Sequence, residues 1–289
     1  MPASPCSSRA RTGRPRRRSA PAETPETPET PEAPASSPAA AAPAGPPPPP
    51  GQIGEAFVDR FDGPELDPRW NVSDGWSNGA WIDSDWRKEQ VRLTPAGLEI
   101  VMEKSPPGRE KAFASGEVQS RDVYRYGYFE TRMKMPKAKG ISVAAFTFAP
   151  RMARGKSQEI DIELTGRDPR SVELTIHLDS KTDHARLQLP FDASQGFHTY
   201  GFEWLPDRVR WYADGEMIYE DAGSKAARLD EPQLFIFMLW GARKLEPWLG
   251  KLDMNGGPWT YTIACAAYQP VYTGVSPCAA EADGLQTPA

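Results

Sequence analysis

The chain has 289 residues, 39 % of them hydrophobic and 25 % charged, which allows one large domain or two small ones. Its formal net charge is −5; residues 1 to 52 hold six Arg against four Glu, or +2, which leaves −7 for the remainder. An acidic body argues against nucleic acid as a partner, and no run approaches the roughly 20 apolar residues that a membrane span needs.

The first 50 residues contain 15 of the 31 prolines, whereas all nine tryptophans lie between Trp70 and Trp259. After Arg16-Arg17-Arg18 come the repeat Thr24-Pro25-Glu26-Thr27-Pro28-Glu29-Thr30-Pro31-Glu32 and the run Pro46 to Pro50. Such sequence cannot bury enough apolar surface to offset its ordering entropy. Residues 1–52 therefore read as a disordered, semi-stiff linker or stalk, or as translation from upstream of the true start. The basic cluster leads only into Ser, Ala, Pro and Glu, without the apolar stretch of a secretory signal.

From Phe57 onward the chain is a succession of short alternating segments broken by Gly, Pro and Asp, with no long helical period. Strands are expected at Val91 to Met102, Phe129 to Met135, Ile141 to Phe148, Val172 to Leu178, His198 to Trp204, Leu234 to Trp240 and Thr260 to Ala267. In Phe129 to Met135 the odd positions suit a core and the even ones carry charge, as in a strand with one wet face. Val209 to Tyr219 reads as a hairpin turning at Asp214-Gly215. Many antiparallel strands without helical crossovers predict an all-β fold, a jelly-roll sandwich of two curved antiparallel sheets, over residues 53–270, followed by a tail at 271–289. An immunoglobulin-like sandwich is the runner-up, but its Cys-Trp-Cys pattern is missing. Cys265 and Cys278 are near enough in sequence to bridge the tail, which the spacing permits without requiring.

The informative stretch is Ser157-Gln158-Glu159-Ile160-Asp161-Ile162-Glu163-Leu164. With a period of two, Ile160, Ile162 and Leu164 face a core while Glu159, Asp161 and Glu163 share the other face. Three carboxylates stacked on one strand face repel one another and add nothing to stability. A solvated acidic stripe is the bland alternative. Against it stands an excess of tryptophans outside core phases, with Trp76, Trp81, Trp86, Trp240 and Trp248 as candidate sugar platforms. Retaining glycosidases need two carboxyls about 5 to 5.5 Å apart, one a nucleophile and one an acid/base. With Glu159 ionised, its field should keep Glu163 protonated near neutral pH, and esterification of Glu159 would then free Glu163 to act as a base.

Glu159-Ile160-Asp161-Ile162-Glu163 resembles the bulge-free catalytic signature of glycoside hydrolase family 16. The resemblance spans roughly residues 57 to 268 and is strongest to bacterial licheninases (endo-β-1,3-1,4-glucanases) and rhizobial exopolysaccharide-cleaving glycanases. Supporting stretches are Ser73 to Gly79, Gly116-Glu117, Tyr124 to Gly127, Asp192 to Tyr200 and Pro247 to Gly250. The resemblance implies a concanavalin-like jelly roll, with Glu159 as nucleophile, Glu163 as acid/base and Asp161 as assistant. For sugar contacts the motif match points to Asn78 and Trp248; Trp76, Gln119 and Trp240 are further candidates, and His177 could face the cleft or be a packing residue.

Three departures from licheninases bear on substrate: Ser157 where a tryptophan lines the cleft, Gln119 in place of an arginine, and Met238 in place of an asparagine. A decorated bacterial exopolysaccharide therefore rivals mixed-linkage glucan. Ala264 stands where licheninases use an Asp to hold structural calcium, so no metal and no cofactor are expected. The expected partner is a polysaccharide, met by a monomer that is secreted or held in the periplasm or cell envelope. A non-catalytic carbohydrate-binding module, a transglycosylase and a structural envelope protein are the competing functions.

Overall fold

A computed structural model describes residues 53–150 and 156–278. The expected stalk at residues 1–52 lies outside the described residues, as do 279–289 of the tail. Among the described residues no helix is long and apolar enough to cross a membrane.

The strands assemble into two sheets. The seven-stranded sheet runs Lys181–Gln188, Ser171–Leu178, Gln158–Thr165, Ile141–Phe148, Leu234–Gly241, Glu117–Ser120 and Trp70–Val72. The ten-stranded sheet has Glu216–Asp221, Val209–Ala213, His198–Trp204, Gly127–Lys134, Trp259–Gln269 and Gly97–Lys104 as its continuous antiparallel body. Leu234–Gly241 inserts between strands distant in sequence, which is the crossing pattern of a jelly roll rather than a meander.

Period-two patterning places the core. Ile160, Ile162 and Leu164 join Leu174, Ile176, Phe235, Phe237 and Leu239 in one buried cluster with Phe129, Phe202, Trp204 and Trp211 of the opposite sheet. Trp211 Nε1 crosses that interface to donate to the Asp161 carbonyl at 3.2 Å, which fixes the acidic strand from behind. Burying each such large side chain contributes about 1.5–3 kcal/mol. A second apolar cluster covers the other face of the seven-stranded sheet and includes Ala144, Phe146, Ile236, Met238, Trp240 and Trp248.

Three expectations need correction. Val91 to Met102 is a hairpin, Val91–Thr94 paired with Gly97–Lys104, rather than one strand. Gly97 has φ +118°, and a Cβ there would lie 2.3 Å from the Ile263 carbonyl oxygen, so the Pro95-Ala96 turn needs this glycine. The sheets are not wholly antiparallel, because Ser84–Trp86 pairs in parallel with Phe113–Ser115. The even face of Phe129 to Met135 is wet only in part: Glu130 is 1 % exposed.

The tail makes that difference. Cys265 and Cys278 are bridged, and Tyr272 stacks on Tyr128 with ring centroids 4.0 Å apart. Ser276 Oγ and the Cys278 amide donate to Glu130 Oε1 at 2.5 and 2.9 Å, and the Tyr128 hydroxyl donates to Oε2 at 2.7 Å. Residues 271–278 thus roof a carboxylate that would otherwise face water, and each donor offsets part of its desolvation.

Closing a loop across a sequence separation of 13 is worth about 3 kcal/mol through the unfolded chain. Reduction, or Cys278→Ser, should therefore lower the urea unfolding free energy by about 2–4 kcal/mol. Equal unfolding midpoints with and without reductant would show that the bridge contributes nothing.

Candidate active site

The acidic strand keeps unbroken register with both neighbours. Glu159 lies across from Phe148 and His177, Asp161 from Phe146 and Thr175, and Glu163 from Ala144 and Glu173. Residues directly opposite share a face, so the three acids, His177 and Glu173 form one patch on the side away from the main core. On the Ile141–Phe148 side their neighbours are apolar, and the patch is accordingly dry: Glu159 is 8 % and Asp161 3 % exposed, while Glu163 is half-buried.

His177 belongs to the site. Its Nε2 lies 3.1 Å from Asp161 Oδ2, and its Nδ1 lies 3.1 Å from Thr182 Oγ1. Burial lowers its pKa, against the attraction of the Glu159 charge. Burial also pushes Asp161 up to about 8, opposed by a hydrogen bond with Glu159. Glu163 is raised well above the usual carboxylate range by burial first, then by the charges of Asp161, Glu173 and Glu159, with the Ser142 hydroxyl working the other way from 3.4 Å. Desolvation, rather than the field of Glu159 expected from the sequence, is the larger cause of the raised pKa of Glu163.

Donor atoms of Glu159, Asp161 and His177 all lie within 4.8 Å of one another, a spacing a metal could use. These groups are already hydrogen-bonded among themselves.

The segment carrying Trp76 and Asn78 is held by charge. Lys111 Nζ donates to the carbonyls of Gly79 and Ile82 at 2.6 and 2.7 Å. Arg243 Nε and Nη2 donate to Asp83 Oδ1 at 3.0 and 2.7 Å, and these donors hold the Asp83 carboxyl below its usual range despite partial burial. Asn78 Oδ1 accepts from Trp86 Nε1 at 3.3 Å, and its Nδ2 lies 4.0 Å from Met238 Sδ, on the acids' face of the sheet.

The tryptophans divide. Trp76 and Trp81 are half-buried. Trp240, only 2 % exposed, packs edge-on against Trp81 at 5.0 Å and tilted against Trp248 at 5.7 Å; Trp86 is wholly buried. The expectation of open platforms at Trp240, Trp248 and Trp86 is corrected accordingly: Trp240 is covered by Trp81 and Trp248, and Trp86 meets Trp76 edge-on at 6.3 Å. Periodicity says which face a ring is on, but not whether a loop closes over it.

Glu117, for which the sequence suggested no role, sits three strands from Glu163 in the same cross-strand row, through Ala144 and Met238. Ser73 Oγ donates to its Oε1 at 2.6 Å, and Gln119 Nε2 donates to that hydroxyl at 3.1 Å. Burial pushes Glu117 up to about 7. Its signal was available, because Glu117 and Gln119 are two apart on one strand and share a face. Glu173 was legible in the same way, from the polar alternation Glu173, Thr175, His177.

Comparison with known proteins agrees with this geometry. The family "Glycosyl hydrolases family 16" matches residues 78–255. The endo-1,3-1,4-β-glycanase ExoK of Rhizobium meliloti is 34 % identical over 198 residues, 68 % of this chain and 72 % of that protein. The β-glucanase of Bacillus subtilis is 32 % identical over 203 residues, 70 % and 81 % of the two chains. Among solved structures, a prokaryotic β-1,3-1,4-glucanase (lichenase) from a mouse hindgut metagenome superposes with a TM-score of 0.69 at 30 % identity, covering 75 % of this chain and 100 % of that one.

Glu117 makes a stability prediction with a definite sign. Between its ordinary value of 4.5 and about 7 the unfolded chain releases a proton that the folded chain keeps, so Glu117 lowers stability as pH rises through that window. Glu117→Gln, which keeps an acceptor for Ser73, should stabilise the fold by about 1–3 kcal/mol at pH 8 and hardly at all at pH 4. Urea unfolding at both pH values checks this, and a gain independent of pH would contradict it.

Proposed function

The chain belongs to family 16 of the glycosyl hydrolases, and from that premise we propose that it is an endo-acting, retaining β-glycosidase that cuts internal bonds of a β-1,3-1,4-glucan or a related exopolysaccharide. The observation that carries the reading is the row Glu159, Asp161, Glu163 in unbroken register on one dry face, with His177 bonded to its centre.

The residues divide the labour as follows. Glu159 is the nucleophile: its carboxylate attacks the anomeric carbon while the bond to the leaving oxygen breaks and Glu163 delivers its proton to that oxygen. The result is a glycosyl ester on Glu159. Glu163, now a carboxylate, takes a proton from water, whose oxygen attacks the anomeric carbon and restores Glu159. Asp161 assists by hydrogen bonding to the nucleophile and yielding that bond as charge develops. His177 orients Asp161. These groups complete the cycle without a cofactor.

Asn78, Trp76 and Gln119 line the approach to the acids and suit contacts to sugars. Gln119 and Glu117 add uncharged and proton-dependent hydrogen-bonding groups that favour polyhydroxylated ligands over ions. Polymers of this kind are too large to be taken up intact, which argues for secretion or a cell-envelope location.

Purified protein assayed on barley β-glucan, lichenan and laminarin should drop the viscosity of at least one polymer well before reducing ends accumulate. Glu159→Gln should abolish this, and Glu163→Gln should slow it by about 10²–10⁴-fold. Azide should revive Glu163→Ala and Glu159→Ala to give glycosyl azides of opposite anomeric configuration. Binding without cleavage by the wild-type protein would turn the reading toward a carbohydrate-binding module.

A further inference from the structure

Glu163 faces a second glutamate. Glu173 is its direct partner across the pair of strands Gln158–Thr165 and Ser171–Leu178, a position at which Cβ atoms lie roughly 4.5–5.5 Å apart and like charges destabilise. The repulsion is relieved when one of the two carries a proton. The surroundings decide which one does.

Glu173 has a histidine and an arginine behind it. His184 Nε2 lies 2.6 Å from Glu173 Oε2, and Arg186 Nε lies 3.5 Å from Oε1. Arg186 is Glu173's cross-strand partner on Lys181–Gln188, and its Nη2 is anchored by Asp168 Oδ2 at 3.3 Å. Glu173 itself is almost wholly buried, so water does not screen the field it exerts on its neighbour.

Among the described residues, Glu163 has no such partner beside it. On its own strand it meets Asp161 and, beyond, Glu159. The strand Ile141–Phe148 brings Ser142, Ala144, Phe146 and Phe148 to that face, and Leu234–Gly241 brings Leu234, Ile236, Met238 and Trp240, none of them charged. Across Glu173 lie His177 and His184, each bonded to another carboxyl, and Arg186.

We propose that Glu173, in contact with His184 and Arg186, is a positioning residue that keeps Glu163 in the acid form required for the first step. It touches neither the reacting atoms nor the nucleophile and acts only through Glu163. The raised pKa of Glu163, in which the Glu173 charge ranks among the causes, agrees with this arrangement. The proposal rests on the acid/base role given to Glu163 above.

The test is the pH profile of kcat/KM, whose alkaline limb reports the acid of the free enzyme. Glu173→Gln should move that limb toward acid by about one pH unit with the plateau changed less than the limb, and Glu173→Asp, which retains the charge, should move it much less. A lowered plateau with an unmoved limb would mean a structural role only and would overturn the proposal, as would equal shifts in both variants. If Glu173→Gln does not fold, ¹³C titration of glutamate carboxyls in the wild-type protein decides the matter: Glu173 ionising below Glu163 supports the proposal and the reverse order overturns it. The underlying reading fails separately, if Glu163→Gln retains wild-type turnover whatever Glu173 does.

Discussion

Carboxyl groups at alternate positions of a central strand repel one another, and the rest of this molecule is organised around containing that repulsion. Glu159, Asp161 and Glu163 cannot spread apart, because both flanking strands pair with theirs residue by residue and Trp211 holds the backbone at Asp161 from the opposite sheet. Nor can all three ionise in a dry site. The relief left is a raised affinity for protons: burial pushes Asp161 up to about 8 and Glu163 well above the usual carboxylate range. An arrangement that costs stability thereby yields one acid and one base side by side, which acid-base chemistry at a single bond requires.

The two sides of the acidic strand play different parts. Toward Ile141–Phe148 and Leu234–Gly241 the sheet face is apolar and closed by tryptophans packed edge-on and tilted against one another, which keeps water from the acids and raises their affinity for protons. Toward Ser171–Leu178 and Lys181–Gln188 it is polar, and every ionisable group there is bonded to another. Two ionic anchorages, Lys111 on the Gly79 and Ile82 carbonyls and Arg243 on Asp83, bring the segment with Trp76 and Asn78 over the dry side. They act together with a short antiparallel bridge, in which Gly75 N donates to the Trp86 carbonyl and Trp86 N to the Trp76 carbonyl, to define where Asn78 sits.

Much of this was legible in the sequence because a strand writes its two faces at alternate positions. The acidic strand, the hairpin at Asp214-Gly215 and the strands Ile141–Phe148 and Leu234–Gly241 could be read from that period alone. The same rule, applied to Glu173, Thr175 and His177, could have found the polar neighbour of the acids. What escaped were features that depend on segments meeting across the fold. Glu130 looked wet because its cover arrives from residues 271–278, and Trp240 looked available because nothing in its own strand says that Trp81 and Trp248 close over it. The break between Thr94 and Gly97 was missed for another reason: both halves of that hairpin are apolar enough to read as one strand, and only the close approach of the Ile263 carbonyl reveals why a glycine stands there.

The tail and the acids also lie on different sheets, and this separation has a physical consequence. The bridge from Cys265 to Cys278 and the cover over Glu130 act on the ten-stranded sheet, while the acids sit on the far face of the seven-stranded one. Between them stands the main core, where Phe129, Phe202, Trp204 and Trp211 pack against Ile160, Ile162 and Leu164. A close-packed interior resists small deformations, so loosening the tail can weaken the fold as a whole without re-aiming the carboxyls. Stability and proton placement are therefore adjustable at separate positions of the chain. Two hydrogen bonds link the sheets directly behind the acids, from Trp211 to the Asp161 carbonyl and from the Tyr261 hydroxyl to the Ala144 carbonyl at 3.4 Å; both act on the position of the strands and leave the charge of the side chains to their neighbours on the sheet.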